Sequence, residues 1–190
     1  AENIMLLNLA QTYAEENNED AHPLFLDMEK AFDRCSWSSL TLAPKKIGYD
    51  DDFIDYIKLA YNHDTPPQRQ LSVNGYLGPQ FSLESGVAQG CPCSPLLFLL
   101  ITEPLSRLFE TDIYLEGLTI GKLKLVISQF ADDTTLVLRK GDADHAKELI
   151  DTCCEPTTMA ENCKKREDMR VGPWKNTGEG TWTGVVEGDK

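Results

Sequence analysis

Leu123–Arg139, LKLVISQFADDTTLVLR, is the stretch that decides the fold. Leu123–Phe130 and Thr134–Arg139 are rich in apolar and β-branched residues, and a short polar segment, Ala131-Asp132-Asp133, separates them. That pattern predicts two β-strands joined as a hairpin with two carboxylates at its tip. Upstream, Leu24-Phe25-Leu26-Asp27-Met28 is a short apolar burst bounded by His22-Pro23 and by charge. Its length and flanks favour a buried strand ending on Asp27. Alone, Asp132-Asp133 reads as an ordinary polar turn and Asp27 as a strand-end cap. Brought together from rigid elements, they would offer the hard oxygen donors that divalent cations take.

Outward from these strands the chain alternates helical and extended patterns. Glu2–Asn18 is composed of helix formers and decays into the solvated run Glu15–Asp20. Ser36–Lys46 reads as a helix with Ser36 as N-cap, and Pro44 is expected to end or kink it about a turn early. Asp50-Asp51-Asp52 opens a helix over Asp52–Asn62, where negative charge complements the helix dipole; a solvated helix start explains that triplet. Strands around Gln70–Val73 and Gln80–Leu83 flank Asn74-Gly75, a hairpin signal. Gly86–Pro92 is a loop. Ser94 as cap and Pro95 in the first turn then begin a helix that runs through Ile101 towards Phe109, apolar nearly all round and so expected to be buried. Asp142–Cys153 is amphipathic, with Ala146, Leu149, Ile150 and Cys153 on one face. The pattern weakens beyond Glu155-Pro156, and residues 176–190 show no core face.

A length of 190 residues with 41% apolar content supports one compact domain as the starting expectation. The longest uncharged apolar run, Leu96–Thr102, is far shorter than the roughly 20 residues of a membrane-spanning helix, and no signal pattern opens the chain. An intracellular protein with no membrane partner is expected. Six cysteines occur without paired C-x-x-C spacing, so free thiols are expected in preference to zinc or disulfides. The net charge of −13 argues against a tight grip on nucleic acid by this chain alone. A catalytic centre that works on phosphates through metal ions is nevertheless acidic, because the metal ions neutralise the phosphates there and basic surface can lie on other domains.

Three motifs stand in series: Leu26-Asp27-Met28-Glu29-Lys30-Ala31-Phe32-Asp33, then Gly86-Val87-Ala88-Gln89-Gly90-Cys91-Pro92-Cys93-Ser94-Pro95-Leu96-Leu97-Phe98, then Phe130-Ala131-Asp132-Asp133. Together they resemble the reverse transcriptases of non-LTR (LINE-type) retrotransposons over roughly Asn3–Gly172. The resemblance implies an α+β polymerase palm, a small antiparallel sheet backed by helices, with part of the fingers, over 1–172. Residues 173–190 form a weakly patterned tail. It implies RNA-directed DNA synthesis on a primed RNA template, with a DNA primer and dNTPs as partners. Two Mg²⁺ ions, for which Mn²⁺ can substitute, would be held by Asp27 and Asp132 as bridging ligands and Asp133 as supporting carboxylate. Phe32 would be the aromatic gate under the sugar, Gln89 and Gly90 would lie against template and nucleotide, and Lys165, in a match to N-x-x-K that begins at Asn162, would meet the leaving pyrophosphate. A core aromatic, a structural loop and a solvated basic cluster are the respective alternatives.

Departures from the family pattern are Cys93 in place of leucine, Met159-Ala160-Glu161 ahead of Asn162, Pro44, and Glu155-Pro156-Thr157-Thr158. The basic fingers strands and the helical thumb are expected outside this stretch, as the missing segments of a parent protein that acts in the nucleus. No endonuclease or zinc knuckle is visible in it. Two other readings stand beside the polymerase. One is a degenerate, non-catalytic palm relic serving as an acidic interaction module. The other is a different two-metal enzyme such as a nuclease, in which Phe32 and the Gln89-Gly90 loop have no evident task.

Overall fold

The computed structural model describes residues 2–162, 165, 167–169, 171 and 172; the expected tail at 173–190 lies outside them. Along the chain come α1 (Glu2–Asn17), β1 (His22–Asp27), α2 (Trp37–Ile47), α3 (Asp51–Ala60), β2 (Gln68–Val73), β3 (Tyr76–Ser82) and α4 (Ser94–Thr111). These are followed by β4 (Leu118–Ile120), β5 (Leu123–Leu125), β6 (Ile127–Phe130), β7 (Asp133–Leu138), α5 (Ala143–Thr157) and β8 (Glu167–Asp168). The chain divides into two compact units: a first built from Ala1–Glu29, Glu103–Glu155 and Ala160–Lys190, and a second from Lys30–Thr102 with Pro156–Met159.

The first unit is organised on an antiparallel sheet of order β6-β7-β1-β8. β1 and β7 pair in an unbroken register from His22↔Leu138 to Asp27↔Asp133. Leu24, Leu136, Val137 and Leu138 are completely buried, which is why apolar residues run almost continuously through both strands. Ala10 and Ala14 of α1 join Ala21, Leu118, Leu125, Val137 and Val171 in one cluster, their small side chains letting the helix backbone approach closely. The single strand expected over Leu123–Phe130 is broken at Val126: its first part pairs with β4 and its second with β7. Leu125, Val126 and Ile127 are buried in succession, which strict strand alternation cannot achieve, so the chain bends there. Val126 O still accepts from Val137 N at 2.7 Å. Asp142, buried ahead of α5, accepts from the backbone N–H groups of Arg139 (2.9 Å), Glu116 (3.2 Å) and Gly117 (3.2 Å).

In the second unit, Asp50 Oδ1 accepts from Phe53 N at 2.9 Å, so the aspartate triplet is the helix start expected for α3. Asn74 and Gly75 both take positive φ (52° and 84°), the geometry of a tight hairpin turn between β2 and β3. Pro44 neither ends nor visibly shortens α2, contrary to expectation. Its carbonyl accepts from Gly48 N (3.1 Å) and Tyr49 N (3.0 Å), so the following turn closes, and Gly48 terminates the helix at φ 107°. Ser36 makes no side-chain cap bond. Ser94 is likewise not a capping acceptor: its buried hydroxyl donates to Ala88 O at 2.6 Å, tying the preceding loop, while Cys93 O receives the first helical bond from Leu97 N. α4 is not buried all round. Leu97, Phe98 and Ile101 are enclosed, but Leu96 is 64% and Leu99 46% exposed, so the first turns of the helix carry apolar side chains on their outer face. Among the described residues, no helix is long and apolar enough to cross a membrane.

Candidate active site

Asp27 is the last residue of β1, and Asp133, the first of β7, stands directly across from it. Strand alternation therefore places both on the face that also carries Phe25 and Thr135. Phe130 pairs with Asp133 to close a two-residue turn, Ala131-Asp132, and Ala131 is forced to φ 57°. A left-handed alanine costs about 1–2 kcal/mol, so the sheet on either side must hold this turn in place. Asp132 and Asp133 are exposed, whereas Asp27 is partly enclosed, its side chain 34% exposed.

The enclosure comes from the segment on the other side of β1. Met28 bridges to Glu161 and Phe25 pairs with Glu167, so β1 advances three residues while the facing chain advances six. Two described residues of that facing chain reach Asp27. Asn162 N donates to Asp27 O at 2.8 Å, Asn162 Nδ2 to Asp27 Oδ2 at 3.3 Å, and Lys165 Nζ lies 3.2 Å from the same Oδ2. Lys165 N in turn donates to Asn162 O at 2.9 Å, closing the turn that aims the lysine. Asn162 and Lys165 are thus joined to Asp27 and are not a merely solvated cluster.

Asp27 and Asp133 are hard oxygen donors on one sheet face, which suits a hard divalent cation in kind. Among the described residues, no three His, Cys, Asp or Glu side chains gather into a group that could hold a metal ion. Lys165 and Asn162 occupy Asp27 Oδ2 in this arrangement.

Phe32, Gln89 and Gly90 belong to the second unit, where they line a hollow of about 480 Å³ with Cys91, Pro92, Ser94 and Pro95. Phe32 is half-buried and stacks on Phe98, centroids 5.1 Å apart, so it is both a packing aromatic and a wall of the hollow. The loop that carries Gln89 is bound to the Phe32 segment: Val87 N donates to Phe32 O and Gly86 N to Cys35 O, each at 2.8 Å. Gly86 adopts φ 86°, and a Cβ there would stand 2.8 Å from Asp33 O, so no other residue fits. Gly86 O accepts from the buried Trp37 Nε1 at 2.9 Å. Gln89 Nε2 donates to Asp33 Oδ1 at 3.3 Å.

Sequence reasoning passed over Asp33, which orients Gln89, and read Ser94, which ties the loop, only as a helix cap; their places in the motifs were the available signal. It also passed over His145 with Asp112. His145 Nε2 lies 2.9 Å from Asp112 Oδ2, and this bond, against the opposing effect of burial, raises the imidazole above its usual range. No motif marks that pair.

The family described as reverse transcriptase (RNA-dependent DNA polymerase) matches residues 2–184. A retrovirus-related Pol polyprotein of the type-2 retrotransposable element R2DM of Drosophila melanogaster is 29% identical over 136 residues, 72% of this chain and 12% of that protein. A corresponding polyprotein of a type-1 element R2 of Popillia japonica is 30% identical over 140 residues, covering 71% of this chain and 19% of it. An uncharacterized protein of transposon TX1 of Xenopus laevis is 27% identical over 92% of this chain and 13% of its own length. The chain therefore spans about an eighth to a fifth of the relatives it matches. In structure it is similar to apo telomerase from Candida tropicalis, with a TM-score of 0.61 at 13% identity over 89% of this chain and 34% of that one. The expected α+β palm architecture is borne out by that likeness, and the expected resemblance by the family match and the retrotransposon relatives: this chain belongs to the reverse transcriptase family, as a fragment of the non-LTR retrotransposon kind.

Proposed function

We propose that this chain is the palm, with part of the fingers, of an RNA-directed DNA polymerase that extends a DNA primer on an RNA template. The observation that carries the reading is the Asp27–Asp133 pairing, which joins carboxylates of two separate motifs on one sheet face, with Lys165 brought to the same point. Asp27, Asp132 and Asp133 would hold two Mg²⁺ ions, which when bound supply the Lewis acidity that activates a 3′-hydroxyl and neutralises a leaving pyrophosphate. The chain's own residues position and complement charge around that chemistry. Asn162, gripping Asp27 through both backbone and side chain, keeps the carboxylate oriented on its strand end. Lys165 Nζ is placed to give positive charge or a proton to a leaving phosphate, a role its ion pair with Asp27 pre-aims. Phe32, braced by Phe98, would lie under the incoming sugar, and Gln89, held by Asp33, would lie along the nucleotide and template.

The test is primer extension on an RNA template by a polypeptide that joins this chain to fingers and thumb segments, with Mg²⁺ or Mn²⁺. Asp133→Asn and Asp27→Asn should each lower extension by at least about 10²-fold while the fold persists. Extension unchanged by either substitution removes these residues from the role.

A further inference from the structure

Carboxylates are spread through this chain at 31 in 190 residues, yet Thr65–Leu83 contains none, and its single charge is Arg69. The same stretch is the β2–β3 hairpin, whose residues are exposed along almost its whole length. The strands pair Arg69↔Phe81, Ser72↔Leu77 and Val73↔Tyr76, with a register shift between Gln70 and Ser72. The extra residue lies on β3, since β2 advances two positions there while β3 advances three. Alternation on β2 is thus undisturbed, and one face collects Arg69, Leu71, Val73, Tyr76 and Phe81. The other takes Gln68, Gln70, Ser72, Gln80 and Ser82 with Leu77.

The hairpin is therefore amphipathic, and its apolar face is uncovered. Tyr76 is 81%, Leu71 66% and Val73 65% exposed. An apolar face of this kind is an interaction surface. Charge and composition choose its occupant. The second unit has six basic against seven acidic residues, a net of −1, while the first has twelve against twenty-four, a net of −12. A polyanion is repelled by the first and meets little repulsion at the hairpin. Arg69 pairs with Phe81 across the strands, which puts a residue able to bind phosphate on the same face as a stacking surface; its guanidinium donates to Gln68 O at 3.3 Å. The face is continuous with the loop of the candidate site: a hollow of about 710 Å³ is lined by Arg69, Leu71 and Phe81 on one side and by Gly86 and Gln89 on the other.

We infer that the apolar face of the β2–β3 hairpin is a platform for a single-stranded nucleic acid, with bases stacked on Tyr76 and Phe81 and a backbone phosphate on Arg69. The strand would run from the hairpin over the hollow to Gln89, which deepens the polymerase reading by giving it a surface for unpaired template, and rests on that reading only for the name of the strand.

The experiment is fluorescence anisotropy of a labelled 20-nucleotide single-stranded RNA titrated with the 190-residue chain across a series of salt concentrations. Tyr76→Ala and Phe81→Ala should each weaken binding about 5- to 100-fold. Arg69→Gln should flatten the salt dependence by about one unit of slope. Circular dichroism controls for folding, and these exposed positions should leave it unchanged. RNA binding by the 190-residue chain is read without primer, nucleotide or metal, so failure of the platform and failure of the polymerase reading are separately visible. Absence of RNA binding by the parent chain, or equal binding by the Tyr76→Ala and Phe81→Ala variants, overturns the proposal. A self-association in sedimentation that Leu71→Ser and Tyr76→Ala abolish, without effect on RNA binding, assigns the face to a second copy of the chain instead.

Discussion

The two compact units differ most in what they do with charge. The first, at −12, concentrates carboxylates and arranges some of them: Asp27 is clasped by Asn162 and Lys165, Asp142 by three backbone amides, Asp112 by His145. The second, at −1, holds its candidate site residues on packing and backbone hydrogen bonds, with Phe32 on Phe98 and Gly86 O bonded to Trp37. Chemistry that needs metal ions and surfaces that meet a polyanion make opposite demands on charge, and the proposed division of labour would place them in separate compact bodies. The net charge of −13, read as one number, conceals that separation.

The sharpest break between the units is expected in activity. Asp133→Asn should lower primer extension by about 10²–10³-fold without weakening RNA binding, as anisotropy on the same preparation would show. If both fall together, the division of labour is wrong. Thiol reactivity comes next. Burial, with Asp33 adding, pushes the Cys35 thiol up to about 12, and burial, with Cys153, Glu161 and Asp151 adding, pushes Cys154 up to about 11. Cys91 is lowered, chiefly by its hydrogen bond with the Cys93 backbone. Iodoacetamide at pH 8 should label Cys91 on the order of 10²-fold or more faster than Cys35, followed by mass spectrometry. Equal rates would mean that the second unit is loosely packed.

Gly86→Val adds a left-handed β-branched residue and a Cβ against Asp33 O, and should cost about 3 kcal/mol in urea unfolding. An unchanged midpoint would show that backbone packing does not hold that loop. The acidic unit should instead respond to pH. His145 is raised, so its contribution is complete below an unfolded value near 6.5 and is lost as pH rises through the higher folded one. Burial opposes the Asp112 shift, but hydrogen bonds from His145 and the Leu115 and Tyr114 amides lower it, so its contribution holds above about 3.9 and is lost as pH falls through the lower folded value. His145→Ala should therefore lower the urea midpoint most between about pH 4 and 6.5 and progressively less above that. A pH-independent difference would remove the ion pair as its cause. The smallest effect is expected at the turn: Ala131→Gly relieves the positive φ and should stabilise by about 0.5 kcal/mol after the entropy of glycine is counted.

Much of this was legible because it is local. β1 announced itself by a short apolar burst ending on Asp27, Asn74-Gly75 by its turn chemistry, and α3 by acidic residues at its start. The errors arose where tertiary packing overrides a local rule. Leu123–Phe130 looked continuous because apolar content does not reveal that Leu125, Val126 and Ile127 are enclosed in succession. Pro44 was weighed as a helix breaker when the closing turn beyond it and the Gly48 cap sustain α2. Ser94 had the right type and place for a cap, but its hydroxyl found Ala88 O first. Within the site, motif order pointed to Asp27 and the Asp-Asp turn, while the contact of Lys165 with Asp27 depends on strand pairings that sequence spacing does not encode.

The unbroken pairing of β1 with β7 has a kinetic consequence. β1 is complete at Asp27, but its partner Asp133 is made 106 positions later, and the Asn162 clasp is separated from Asp27 by 135. During synthesis β1 must wait with both edges unpaired while the whole second unit is made and can fold on its own short-range contacts. Closing such long loops is slow and lengthens the time in which an exposed apolar strand can pair with another chain. The carboxylates thus meet late in folding, and conditions that slow this closure should show themselves as aggregation through the Leu24–Leu26 segment before they show themselves as loss of the finished protein.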